Sequence, residues 1–405
     1  MLWLSLAVLL LSNPCTQSSA QVGLTLRDAI QQAKSSPLAR QSQDQIDAAR
    51  GAARQAGLGP NPRLYLQLED NRPWSRDFDI ANATEYGYIG QTFELDQKRA
   101  KRKDVAYATL RKTEAERVSL EQQLTGRVAG AYWSTVVGAR VEKLLEDDMK
   151  VVDEMVSYHQ KRVDAGAMAG VDLLRIQLER DRIVIELESA RREAALSRIE
   201  LSRQIGRSLA PQERLTDSLD APLPIQTQAI ATILAARADV EVARQAVIVA
   251  EADVRLQKAL GVPDLDLFGG YKRNVGTNTL YGGLQIPLPF RNRNQGEVAR
   301  AQANARLAKD QLQQLELLVR ADVDAAQEAY SRQRNIIEKV LPDMRARAQK
   351  NLAIMSDAYK TGGVDLLRYI DAERTAIEVE VSALRALAEF QQSGLRLQMA
   401  YGVHP

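Results

Sequence analysis

The sequence VDLLR at residues 171–175 recurs unchanged at residues 364–368, and the organisation of the whole chain follows from this recurrence. A Gly-containing segment precedes both copies, and a Glu-Arg pair follows both. An identity of five residues with matching flanks indicates an internal duplication. We therefore interpret the chain as two structural repeats of about 200 residues each, at residues 21–222 and 223–405.

Each unit contains the same succession of patterns. An Ala-rich stretch with helical spacing, residues 37–58 or 238–260, ends at a Gly/Pro boundary. Two runs of alternating apolar and polar residues follow, separated by a polar turn, which is the pattern of a β-hairpin. We expect one hairpin at about residues 62–95 and the other at about residues 263–288.

The rest of each unit has the pattern of long helices. Residues 97–165 and 294–360 contain a single proline, Pro342, and at 1.5 Å per residue each stretch would reach roughly 100 Å. After a Gly-containing turn the chain returns as a shorter helix, residues 171–206 or 364–401. Because the returning helix covers only about half of the outgoing one, we expect the short helix before the hairpin to stack end to end with it. The predicted fold is mainly α, with duplicated long helical hairpins and four β-strands per chain.

Composition narrows the classes of function. Lys and Arg number 54 against 52 Asp and Glu, so no overall positive field would attract nucleic acid. One cysteine, Cys15, and two histidines, His159 and His404, exclude a disulfide framework and Cys/His zinc sites. We expect no catalytic residues, no cofactor and no resident metal. A phosphate-binding loop, a nucleophile elbow and a paired-His motif are all missing from the sequence.

The first twenty residues have the character of a secretory signal peptide. They carry no charged side chain, and the apolar run at residues 2–11 is followed by small residues up to Ala20. Cys15 raises the alternative of a lipoprotein, but Pro14 before it is a poor residue at a lipidation site. Beyond this segment no stretch approaches the ~18 apolar residues of a membrane-spanning helix. An exported four-stranded sheet in a membrane must pair its edges with other copies, and three copies would give a closed barrel of 12 strands.

The segment LQIPLPFRNRNQG at residues 284–296, leading into an Ala-rich helix, resembles the TolC-type outer-membrane efflux proteins. The likeness is closest to the outer-membrane components of cobalt-zinc-cadmium resistance systems. Through the order of the elements and the internal repeat it covers nearly all of the mature chain, about residues 24–402. The resemblance implies a homotrimer whose strands share one barrel in the outer membrane of a Gram-negative bacterium. Its helices would form a tunnel across the periplasm, ending at a constriction that docks a periplasmic adaptor and an inner-membrane, proton-driven pump.

The resemblance places the two helix-to-helix turns, residues 163–171 and 359–364, at the periplasmic tip where the adaptor would bind. Glycine suits such tight turns because it has backbone freedom. A plainer interpretation is that these residues only break helices, with the two aspartates as N-caps, and both interpretations can hold together. The residues concerned are Gly166, Gly170, Asp172, Gly362, Gly363 and Asp365.

The resemblance also points to a gate just after the second tip. Family members often carry two aspartates there, one helical turn apart, and the matching positions are Arg368 and Asp371. With three copies, these two side chains could form ion pairs between subunits that hold the entrance shut. The alternative is a solvated helix face, because surface ion pairs are common and contribute little.

A basic cluster follows the hairpin of each unit. Its position at the start of the long helices fits the inner rim of a barrel, where basic side chains could pair with phosphates of outer-membrane lipid. An ordinary charged helix start is the alternative, although positive charge opposes the dipole at a helix N-terminus. The cluster consists of Lys98, Arg99, Lys101, Arg102, Lys103, Arg291 and Arg293.

Aromatic residues are scarce in the chain but concentrate on the hairpins. An aromatic girdle at the membrane interfaces would need them there, and plain packing between strands explains them nearly as well. The residues are Trp74, Tyr86, Tyr88, Phe93, Phe268, Tyr271 and Tyr281.

We expect an outer-membrane channel of a tripartite efflux system that exports divalent heavy-metal cations and performs no chemistry. Export of drugs, other organic compounds or a polypeptide through the same architecture is the alternative within this class. A periplasmic coiled-coil adaptor or scaffold is an alternative of another class. Such an adaptor should carry a compact β-rich domain, and the sequence shows two alternating hairpins in a duplicated chain.

Overall fold

The computed structural model describes residues 23–69, 83–210, 212–220, 225–274 and 276–403. The predicted signal peptide and Cys15, together with Trp74 and His404, lie outside the described residues. The first repeat contains a short helix, a longer helix, two strands and a helical hairpin. Its elements are α1 (Leu26–Ala33), α2 (Pro37–Ala56), β1 (Arg63–Glu69), β2 (Thr84–Phe93), α3 (Lys98–Asp164) and α4 (Gly170–Ile205).

The second repeat has the same order of elements. They are α5 (Ile230–Ala236), α6 (Ala238–Leu260), β3 (Leu265–Asn274), β4 (Thr277–Gln285), α7 (Gln295–Asn335), α8 (Leu341–Lys360) and α9 (Leu366–Ala400). The predicted helix over residues 294–360 is therefore interrupted once, by a π-helical segment at Ile336–Val340. Pro342 lies two residues after this segment, and a proline inside a helix removes a backbone donor and crowds the preceding turn.

The four strands form one antiparallel sheet in the order β1-β2-β3-β4, so the two predicted hairpins lie side by side. Strand β2 pairs with β3 along its whole length, from Thr84 opposite Asn274 to Phe93 opposite Leu265. The alternation of the last run predicts a strand as far as Leu288, but β4 ends at Gln285. The next residue precedes a proline, and prolines cannot donate to a strand ladder.

The register sorts the side chains of the sheet onto two different faces. Leu66 lies opposite Gly87, Gly87 opposite Tyr271, and Tyr271 opposite Leu280. This aliphatic face is exposed, with Leu66 at 74% and Leu280 at 83%. Its large apolar residues are Leu64, Leu66, Leu68, Ile89, Phe93, Leu267, Tyr271, Leu280 and Leu284.

The opposite face carries most of the aromatic side chains. The rings of Tyr65 and Tyr88 stack at 4.8 Å between centroids, and Tyr88 also contacts Phe268 and Tyr281. Tyr86, Tyr88, Phe268 and Tyr281 pack against one another on the face opposite the aliphatic residues, as the alternative of packing between strands predicts. Only Phe93 and Tyr271 of the described candidates share the aliphatic face with the leucines. Packing between strands therefore explains four of the six described aromatic candidates.

The helices run away from the sheet as two antiparallel hairpins. Helix α3 packs against both α2 and α4. This confirms the expectation that the short helix and the returning helix together cover the long outgoing helix. Helix α3 also packs along α6 and α9 of the second repeat, so the repeats share one core. Tyr132 is fully buried in that core, where its hydroxyl donates to the carbonyl of Leu24 at 2.9 Å. None of the helices in the described part of the chain is both long and apolar enough to cross a lipid bilayer.

Candidate functional site at the helical tips

The two turns at the far end of the helical hairpins have the same backbone geometry. Gly166 and Gly362 adopt left-handed conformations, with φ of 69° and 78°. In each turn a backbone N–H reaches back five residues: Ala167 donates to the carbonyl of Arg162 at 2.8 Å, and Gly363 donates to that of Ala358 at 2.7 Å. This bond is the signature of the glycine-terminated helix end, which satisfies carbonyls that the helix leaves open.

The remaining predicted tip residues have different local roles. Asp365 caps α9, since its carboxylate accepts the backbone N–H of Arg368 at 3.0 Å. Asp172 does not cap α4, contrary to expectation, because the helix begins earlier and its N-cap is Ala169. Gly170 and Gly363 have no positive φ, so the left-handed geometry requires glycine only at the other two tip positions.

Replacing Gly166 with alanine should destabilise the first tip, whereas Gly170→Ala should not. At both sites the space that an added Cβ would occupy is open, but only Gly166 has a positive φ. We expect Gly166→Ala to lower the free energy of unfolding by about 1–2 kcal/mol, measured by urea denaturation of the detergent-extracted protein. Equal effects of the two substitutions would contradict this assignment.

A histidine joins the two tips. His159 on α3 is 2% exposed, and its Nε2 lies 2.6 Å from the hydroxyl of Tyr359 on α8. Its Nδ1 lies 2.7 Å from the carbonyl of Met155, which can only accept, so in the neutral ring Nδ1 donates and Nε2 accepts. Burial raises the pKa of Tyr359, which keeps its hydroxyl available as a donor. The ring of Tyr359 stacks on Tyr369 of α9 at 5.3 Å.

The predicted gate residues lie on the first two turns of α9. Both Arg368 and Asp371 are exposed, and neither side chain has an ion-pair partner within the described residues. The two side chains do not pair with each other in a single chain. Whether they pair between subunits therefore stays a prediction.

Behind the gate residues lies a group of carboxyls that the sequence did not reveal, which we name the buried acidic cluster. It consists of Asp148 of α3, which is buried, and of Glu179 of α4 and Glu373 of α9, which are half-buried. Asp148 is 7% exposed. Burial, and next the charge of Glu179, raise its pKa to about 6. Burial, and then the charges of Asp148 and Glu179, raise the pKa of Glu373 to about 7. Residues 225 positions apart meet here, so no local spacing could have predicted the cluster.

The basic cluster lies beside the sheet, as expected, but its charges have partners within the chain. Lys98 is 3% exposed and its Nζ contacts Asp264 at 2.6 Å, so the expected lipid contact is wrong for this residue. Lys101 pairs with Asp96 at 2.8 Å, and Arg102 forms a two-pronged ion pair with Glu94. The exposed members that could still reach a ligand are Arg99, Lys103, Arg291 and Arg293.

In the described part of the chain, no group of three or more His, Cys, Asp and Glu side chains is arranged to hold a metal ion. The tips consist of two glycine-containing turns, one buried contact between His159 and Tyr359, and exposed charged side chains. These features suit a surface that binds another protein or a segment that changes conformation.

Comparison with known proteins identifies a family and relatives with similar sequences. The family profile described as outer membrane efflux protein matches residues 29–207 and again residues 229–403. The sequence is 23% identical over 366 residues to the cobalt-zinc-cadmium resistance protein CzcC of Cupriavidus metallidurans, covering 88% of this chain and 85% of that protein.

Solved structures share the fold. A membrane protein from Pseudomonas aeruginosa superposes with a TM-score of 0.78 at 19% identity, over 94% of this chain and 90% of that chain. CusC, whose structures concern folding and transmembrane channel formation, superposes with a TM-score of 0.79 at 17% identity, over 94% of this chain and 93% of that chain.

Proposed function

The chain belongs to the outer membrane efflux protein family, and from this membership we propose that three copies form a passive conduit for divalent heavy-metal cations. The proposal has three parts, which are the assembly, the cargo and the partners. Each part is supported by a different observation.

The observation that carries the assembly is the incomplete sheet. Strands β1 and β4 lie at its two edges, and neither outer edge is paired within the described residues. The aliphatic face between these edges is exposed. Backbone groups that enter a lipid bilayer must all be hydrogen-bonded, and for strands this requires a closed barrel. Pairing β4 of one copy with β1 of the next meets that requirement, and three copies supply 12 strands.

The helices support the same arrangement. Helix α3 of the first repeat packs along α6 of the second. The duplicated counterpart of this contact would join α7 to α2, yet α7 makes no comparable packing with α2 among the described residues. A ring of copies supplies the missing contact, with α7 of one copy against α2 of the next.

The cargo is proposed from the relative whose name records cobalt, zinc and cadmium resistance. The partners are proposed from the position of the tips, at the opposite end of the long helices from the sheet. A periplasmic adaptor would contact the tips, and an inner-membrane pump driven by protons would deliver the cations. The exposed basic residues Arg99, Lys103, Arg291 and Arg293 would lie near lipid phosphates.

The experiment that tests the conduit is single-channel recording of the purified, detergent-extracted protein in a planar bilayer. We expect discrete conductance steps from a heat-sensitive trimer. A soluble monomer or dimer that never inserts would favour the adaptor or scaffold instead. Deleting the gene should raise sensitivity to zinc, cobalt and cadmium, and sensitivity to organic compounds alone would assign a different cargo.

Removing either gate charge should open the entrance. If Arg368 and Asp371 pair between subunits, then Arg368→Ala or Asp371→Ala removes those pairs and raises the mean conductance of the isolated channel. The matched control is Lys360→Ala, which removes an exposed charge at the same tip outside α9. Unchanged conductance in both gate variants would show that these side chains are only a solvated face.

A further inference from the structure

The buried acidic cluster lies where the two repeats meet near the tips. Asp148, Glu179 and Glu373 come from three helices, and apolar side chains of the same helices surround them, among them Val152, Ile176 and Ile370. The cavity between these side chains has a volume of about 10 Å³, which is at the lower limit for one water molecule. A hydrated metal cation does not fit there, whereas a proton does.

Little positive charge compensates the cluster. Asp148 and Glu373 have neither a hydrogen bond nor an ion pair within the described residues. The one guanidinium that faces the cluster from α4 is Arg182, and it is already bound to Glu179 at 2.7 Å and Glu186 at 2.6 Å.

The other charged groups on α3, α4 and α9 do not remove this excess of negative charge. On α9, Arg374 lies beside Glu378 at 3.4 Å, and Glu378 also approaches Arg182 at 3.9 Å. Helix α3 contributes Asp148 as its only charged lining residue. When every group is ionised, the acids that face this junction outnumber the two guanidinium groups.

We propose that Asp148 and Glu373 act as a proton-operated latch between α9 and the α3–α4 hairpin. Protonated carboxyls allow α9 to stay packed, and ionised carboxyls repel each other and Glu179 across the junction, which loosens α9. The consequence for gating rests on the proposed conduit function, since α9 carries the gate residues. The packing of α9 itself does not depend on that function.

The packing of α9 depends on pH because the two carboxyls have different pKa values in the packed and the loosened arrangement. In the packed state both carboxyls have raised pKa values, about 6 for Asp148 and about 7 for Glu373. In the loosened state they regain the ordinary values near 4. The packed state therefore binds more protons, so its packing is strongest below about pH 4 and weakens as pH rises to about 7.

Hydrogen exchange of the purified protein tests the packing without requiring conduction. We compare wild type with the double variant Asp148→Asn/Glu373→Gln, whose amides are uncharged at every pH. At pH 8 the double variant should show at least about tenfold higher protection than wild type in the first half of α9, because one pKa unit corresponds to a factor of ten. At pH 4 the two proteins should be nearly equal, because the wild-type carboxyls of the packed state are then protonated. Equal protection at both pH values would overturn the latch.

Planar bilayer recording then tests the gate. The open fraction of wild type should rise several-fold from pH 5 to pH 8, while the double variant should stay low and flat. Glu154→Gln, which neutralises an exposed carboxyl on α3, should keep the wild-type profile. A wild-type profile in the double variant would refute the latch. Channels that never conduct, with the expected exchange result, would refute the conduit and leave the latch standing.

Discussion

Leu66→Arg should prevent stable insertion of the protein into the outer membrane. Leu66 lies on the aliphatic face of the sheet and is 74% exposed in the single chain. An arginine on the lipid face of a membrane strand costs about 2–4 kcal/mol at the bilayer midplane, hence roughly 6–12 kcal/mol over three copies. The measurement is the amount of heat-sensitive trimer in purified outer membranes after washing with urea.

The neighbouring residue provides a matched control. Gln67 lies opposite Tyr86, on the aromatic face, so Gln67→Arg places the same charge on the other side of the same strand. We expect normal insertion of this variant, since the interior of a membrane barrel tolerates polar groups. Equal loss of trimer in both variants would mean that the aliphatic face does not contact lipid.

Local patterns in the sequence are sufficient for the main architecture. The alternating apolar and polar runs predict both hairpins, and the Gly/Pro boundaries predict where α2 and α6 end. The recurrence at residues 171–175 and 364–368 predicts two equivalent tips, and both turns have the same hydrogen bonds. These features depend on residues close together in the chain. Helices α1 and α5 escape prediction because eight and seven residues are too few to show a helical period.

The details of the candidate site depend on contacts between distant residues, which a single sequence does not show. His159 meets Tyr359 and Asp148 meets Glu373 across the junction of the repeats. No acidic residue close to Lys98 in the sequence predicts its ion pair. The fold brings Oδ1 of Asp264 to 2.6 Å from the Nζ of Lys98. Asp172 fails as a cap for a different reason, because α4 begins two residues before it.

The histidine link and the buried acidic cluster join the same two bodies. Both connect the α3–α4 hairpin to the α8–α9 hairpin, one near the turns and the other farther along α9. Separation of the tips must therefore break the contact between His159 and Tyr359 and expose Asp148. Because exposure lets Asp148 and Glu373 regain ordinary pKa values, the energy of that separation becomes coupled to pH.

Leu178→Asp combined with Ile185→Asp should abolish the trimer. These residues are 69% and 72% exposed in the single chain and lie seven residues apart on α4, in a stripe of exposed apolar residues. Burial of a leucine or isoleucine side chain contributes about 1.5–3 kcal/mol, so two residues in each of three interfaces account for roughly 9–18 kcal/mol of assembly energy. Sedimentation of the detergent-extracted protein measures the loss.

Two comparisons decide whether the stripe is an interface between copies. Leu178→Met/Ile185→Leu keeps the surface apolar and should assemble normally. In a head-to-tail ring each interface joins two different surfaces, so a charge on the facing surface must give the same defect. In the proposed ring, α7 and α8 of the next copy would carry that surface, and Ile354 of α8 is 53% exposed in the single chain. Ile354→Asp should therefore also yield monomers, and a trimer that survives both aspartate variants would exclude these helices from the contact.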